Sequence, residues 1–81
     1  MDILNAGTAI RVGLDLSRLN LYDLWLRYVG VGGTHTLDEL RTYVCGDAVW
    51  TAIQHDVAAQ ALNDYFTDQG LDHLVAYANE L

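Results

Sequence analysis

The residues of this chain whose types could do chemistry are three histidines (His35, His55, His73), one cysteine (Cys45), eleven carboxylates and the glycine-bearing stretch GVGGTHTLDEL at residues 30–40. Together they suggest metal binding, a thiol nucleophile, acid/base catalysis or a phosphate cradle. The spacing supports none of the first three. A zinc-type site needs pairs such as C-x-x-C or H-x-x-x-H, and here the histidines fall in three separate segments. His55 projects to an apolar side near Leu62 and Phe66, where a hydrogen-bonded core histidine is expected. Thiolates are favoured at helix N-termini, whereas Cys45 falls in the last turn of a helix, so a small buried thiol is expected. Asp38 and Glu39 are adjacent and suit helix capping and solubility better than an acid/base dyad. No catalytic residue, metal ligand or cofactor is therefore assigned, and a few short helices offer little room for a cleft.

The glycine stretch needs its own test. A phosphate loop requires a strand leading into the glycines, so that backbone amides and a helix N-terminus converge on the anion. Here a helix leads in, the pattern fits neither G-x-x-x-x-G-K-[ST] nor G-x-G-x-x-G, and the chain has no lysine. The stretch reads instead as a turn and a cap. Gly30 or Gly32 supplies the left-handed residue that ends one helix, and Thr36 with Glu39 forms a T-x-x-E capping box that opens the next.

The elements that hold these residues follow from periodicity. Residues 2–13 place Ile3, Ala6, Gly7, Ile10 and Leu14 at helical spacing, and Gly7 on that side lets another helix come close. Residues 14–20 mix alternating leucines with turn formers and are predicted as an extended connector. Asn20 caps a helix over 21–29, with Asp23 in its first turn and Arg27 four residues on. Its apolar residues cover more than half of the circumference, which predicts a central helix and leaves Leu26 at the edge of the arc. A helix over 37–45 uses Leu37, Leu40 and Val44 and stops at Gly46. A longer one begins near Trp50 and runs to Gln69 before Gly70, with Ala58, Ala61, Leu62, Tyr65 and Phe66 inward and Asp56, Gln60, Asn63, Asp64, Thr67 and Asp68 outward. Residues 73–78 fit a short helix or a short strand equally well. The fold class expected is all-α or mainly α: a small bundle of four to five helices in one domain, winged-helix-like if the short C-terminal strand forms.

With 81 residues the chain buries only about 60 to 65% of its unfolded surface, so a hydrophobic fraction of 52% leaves some large apolar groups outside. Four arginines against eleven acidic groups give a net charge of −7, a poor match to nucleic acid or to an anionic membrane and a better one to a basic protein surface. The arginine-without-lysine usage is a signal of source and says nothing about mechanism. One cysteine makes no internal disulfide, and no stretch reads as a membrane span or signal peptide, so a cytoplasmic setting is expected.

From Leu21 onward the segment order resembles a degenerate winged helix: an apolar helix, a capped short helix, a turn, a longer helix at the recognition position, then a segment where a wing strand would begin. The resemblance implies DNA binding, but a helix that reads DNA presents Arg, Lys, Asn or Gln, and this one presents mainly Asp. A winged-helix-like chain of this kind implies a module turned to protein contacts. LSRLNLYDLWLRYVGVGG, LDELRTYV and HDVAAQALNDYF are also similar to short helical proteins of actinobacteria, a similarity that implies no activity.

The expected function is thus a non-enzymatic, acidic protein-interaction module, a regulator or adaptor, that binds a protein partner or a second copy of itself. Trp25, Leu26, Tyr22 and Trp50 supply the apolar contact, and Asp56, Asp64 and Asp68 the acidic border. The alternative is a DNA-binding regulator with Arg11, Arg18, Arg27 and Arg41 gathered on one face.

Overall fold

The computed structural model describes residues 6–72 and 74–81. Ile3 and the start of the first expected helix lie outside the described residues, as does His73. The element order is α1 (Gly7–Ser17), α2 (Leu21–Gly30), α3 (Leu37–Val44), α4 (Ala52–Asp68) and a single 3₁₀ turn (Ala78–Glu80).

Local chemistry sets most of these boundaries. Asn20 Oδ1 accepts from the Asp23 amide at the start of α2, Thr36 and Glu39 close a reciprocal capping box on α3, and Thr51 Oγ1 accepts from the Gln54 amide to open α4. The helices α2, α3 and α4 stop alike. A glycine with positive φ (Gly32, Gly46, Gly70) follows the cap, and the next amide reaches back to the carbonyls of Tyr28, Thr42 and Phe66, respectively.

The first helix departs from expectation. Residues 14–17 continue α1 and are not a connector, because Leu14 is needed in the core and Ser17 ends the helix from within. Its hydroxyl donates to the Leu14 carbonyl and accepts from the Leu19 amide, and Arg18 turns the chain at φ 63°.

The helices surround one apolar cluster. α1 and α2 both lie on α4, and α3 packs against α1 and α2. Ala58, Ala59 and Ala61 are buried on α4, and their small side chains let the neighbouring helices approach while Leu62 and Phe66 fill the centre. Complete burial of Leu24, Leu40 and Leu62 contributes roughly 1.5–3 kcal/mol each. Gly7 does permit a close crossing, since a β-carbon there would stand 1.9 Å from the Tyr43 carbonyl oxygen. α2 is less central than its apolar arc predicts. Only Leu24 and Tyr28 are buried, and α4 takes the middle.

After Gly70 the chain returns along α4. Among the described residues no strand forms, so the short C-terminal strand is not seen; the segment bends at Val75 and then makes the 3₁₀ turn. Two residues assigned outward on α4 are captured by it. Asn63 is buried, with Oδ1 accepting from the Leu74 and Val75 amides and Nδ2 donating to the Val75 carbonyl. Asp56 is half-buried and accepts from the Ala78 amide. A polar side chain facing outward on an isolated helix here faces a returning backbone, outside any helix or strand ladder, that needs partners.

Candidate interaction surface

The glycine stretch folds around a tyrosine. The Tyr28 hydroxyl accepts from the amides of Thr34 (3.1 Å) and His35 (3.0 Å) and donates to Gln54 Oε1. Two amides that could have cradled an anion therefore already hold an oxygen of the chain itself.

Both tryptophans help to lock this loop. Trp25 Nε1 donates to the His35 carbonyl at 3.0 Å. The Trp50 ring stacks on His35 (centroids 4.2 Å apart) and on Tyr43 (4.3 Å), so its faces are taken up inside the protein. His35 Nδ1 also lies 3.3 Å from Glu39. The carboxyl of Glu39 is held below the ordinary carboxylate value, first by the Thr36 amide of the capping box and then by His35.

His55 is a hydrogen-bonded core residue. Its Nε2 is 2.9 Å from the Ala76 carbonyl, which can only accept, so Nε2 carries the proton and Nδ1 accepts from the Tyr43 hydroxyl at 2.7 Å. Burial, and secondarily Asp56, pushes the Tyr43 phenol up to about 12. Cys45, expected buried, is exposed, because Tyr43 and Val44 take the inward positions at the end of α3. Among the described residues no three His, Cys, Asp or Glu side chains gather as a metal-ion cage. A recess of about 260 Å³ is lined by Leu74, Val75, Ala76 and Glu80.

The apolar side chains left for a partner include Val12 and Leu16 on α1, 57% and 60% exposed, and the outer side of α2. Tyr22, Leu26 and Val29 follow one another at helical spacing opposite the buried pair Leu24 and Tyr28, and all three are about half exposed. Half-buried Trp25 borders them, its ring 6.1 Å from that of Tyr22. Asp23 is exposed on the same helix, and Arg27 reaches across to α4, its guanidinium 4.8 Å above the Tyr65 ring, so it does not close the expected pair with Asp23. That contact brings the end of α2 beside the part of α4 that carries exposed Asp64 and Asp68. Asp56 lies apart from them, under the returning chain. The arginines are dispersed: Arg41 pairs with Asp38, Arg27 covers Tyr65, and Arg11 and Arg18 are exposed along α1 and at its end.

A further apolar outcrop was not expected from the sequence. Val49 and Ile53, 92% and 75% exposed, stand at the entrance to α4. The signal was present in the helical projection, which places Ile53 about two and a half turns from Leu62 and so on the opposite side of α4.

Compared with protein-family models, with curated proteins and with solved structures, the chain matches none of them. Its class therefore rests on its own architecture, a small all-helical bundle. No helix among the described residues is long and apolar enough to cross a membrane.

Proposed function

We propose that this chain is a non-enzymatic protein-interaction module, a regulator or adaptor, whose outer α2 side receives a protein partner. The observation that carries the reading is the register of Tyr22, Leu26 and Val29. These three large apolar side chains, 52%, 48% and 43% exposed, lie on one side of a helix whose other side is fixed in the core. Such a stripe is the usual recognition face between packed helices. Exposed Asp23 on α2, exposed Asp64 and Asp68 on α4 and the net charge of −7 favour a partner that carries basic groups as well as apolar ones, and a second copy of the chain is the competing occupant. Trp25 serves as the anchor at the edge of the stripe, and Trp50 supports it indirectly by holding the loop to which Trp25 donates.

The test is capture from native extract, with and without nuclease, using the unaltered chain and Leu26→Asp, combined with sedimentation of each protein alone. The expected result is a stoichiometric protein partner, or a dimer, with the unaltered chain and loss of either with Leu26→Asp at an unchanged unfolding midpoint. Equal capture by both proteins would overturn the reading. Partners that vanish with nuclease would transfer the function to the arginines.

A further inference from the structure

Two apolar outcrops lie on helices other than α2, and the charges beside them are opposite. On α1, Val12 and Leu16 stand about one turn apart, both more than half exposed. Arg11 is exposed next to Val12, and Arg18 closes the same helix. Arg41 pairs with Asp38 and Arg27 covers Tyr65, whereas Arg11 and Arg18 meet no carboxylate among the described residues. Counted with Arg18, α1 is the one helix in which cations outnumber anions, two arginines against Asp15. The longest helix is the reverse, with three aspartates and no arginine. Helical projection places Ile53, Val57, Asp64 and Asp68 within an arc of about 60°, so its apolar outcrop and two exposed carboxylates share one side of α4.

These two sides cannot meet within one chain. α1 and α4 already face one another across the core, where a β-carbon on Gly13 would stand 2.4 Å from Val75 Cγ2 and 3.1 Å from Leu62 Cδ1. Gly13 thus seats Val75 between the two helices. Val12 lies opposite buried Ile10 and Leu14 on α1, and Ile53 and Asp64 lie opposite buried Leu62 on α4, so both outcrops turn outward.

From these features we propose that the outer side of α1 docks on the outer side of α4 of a second copy of the chain. With the two helices parallel, Val12 meets Ile53, Leu16 meets Val57, and Arg18 extends towards Asp64. The argument for a second copy is complementarity. The α1 side calls for an occupant that joins apolar groups to carboxylates, the α4 side for one that joins apolar groups to cations, and this chain leaves one of each uncovered. Opposite charges at the contact offset there the repulsion between two chains of net charge −7. Because the two patches differ, the contact is head-to-tail and joins copies into a ring or a chain. It is separate from the outer side of α2 and does not depend on the proposal made for it.

The experiment is sedimentation of the full chain carrying Leu26→Asp, which removes association through α2, and of two variants made in that background. The Leu26→Asp chain is expected to associate as its concentration rises. Leu16→Asp blocks the α1 side and Ile53→Asp the α4 side, and each is expected to lower the association constant at least about tenfold. Mixed in equal amounts, the two blocked chains should form a one-to-one pair and stop there, since each keeps the patch that the other lacks. A Leu26→Asp chain that stays monomeric at millimolar concentration, a blocked chain that associates undiminished, or a mixture no larger than its components would overturn the proposal. Leu16 and Ile53 are exposed, so unfolding midpoints should be unchanged. Should a blocked chain fail to fold, Arg18→Glu and Asp64→Arg decide instead: association is expected to fall in each alone and to return on mixing, and a mixture in which it does not return overturns the proposal.

Discussion

The ring of Tyr28 lies against the α-carbon of Gly33, so closely that a β-carbon at residue 33 would stand 2.3 Å from two of its ring atoms. The glycine stretch is therefore built for packing on a tyrosine. Gly33→Ala is expected to cost about 1–3 kcal/mol, the usual range for overpacking, because the ring it displaces also holds the Thr34 and His35 amides. Gly30→Ala, which meets open space in the last turn of α2, should be neutral or stabilising by up to about 1 kcal/mol. Urea denaturation of the two variants checks the contrast.

The capping box gives a second contrast. Thr36→Ala should cost about 1 kcal/mol through loss of the acceptor for the Glu39 amide. Nucleotide or phosphate added to either protein should leave the difference unchanged. Glu39 is held below its ordinary value by the Thr36 amide and by His35, so its contribution is present above the ordinary carboxylate range and is lost as pH falls through its folded value. The stability difference between the unaltered chain and Glu39→Gln is expected to shrink as pH is lowered below about 4. Denaturation midpoints measured between neutral and acid pH read it directly.

Tyr43 sets the alkaline limit. Burial, with Asp56 adding to it, raises its phenol to about 12, so the unfolded chain gives up this proton first. Stability from this group is complete below about pH 10 and falls as pH rises from there towards 12, by an amount on the order of 2 kcal/mol. Tyr43→Phe should be less stable at neutral pH, having lost the bond to His55, but should show a flatter decline above pH 10. Urea midpoints across that range, compared between the two proteins, provide the check.

Asn63→Ala removes the acceptor of two amides and the donor to one carbonyl, all in the returning segment. The expected loss is about 2–4 kcal/mol, built from partly unsatisfied backbone groups. Hydrogen exchange locates it: the Leu74 and Val75 amides should exchange faster, with a smaller change at the Leu24 and Leu40 amides.

What the sequence disclosed was local. Asn20, the Thr36–Glu39 box, Gly32, Gly46 and Gly70 each act within a few residues, so α2, α3 and α4 could be bounded from the chain alone. Where the partner is distant in sequence, the same reasoning fails. Helical projection sends Asn63 outward because it knows nothing of Val75, and it leaves residues 14–17 as connector because alternating leucines look extended until Leu14 has a core to enter. The outer side of α2 was legible in part. Leu26 and Tyr22 were named from the sequence, and Leu26 falls opposite Leu24 by helical geometry alone, but the burial of Tyr28 beneath a loop, and with it the outward turn of Val29, depends on the fold of residues 31–35.

The seat of Val75 between Gly13 and Leu62 also orders events in time. A chain made from its N-terminus exposes α1, α2, α3 and α4 in turn, and their local contacts can form as they appear. The space beside Gly13 is not filled until residue 75 arrives, and filling it joins widely separated parts of the chain, which carries a loop-closure cost. A chain truncated before Val75 is therefore expected to leave the Leu62 side of the core facing water, read as raised binding of an apolar dye relative to the full chain.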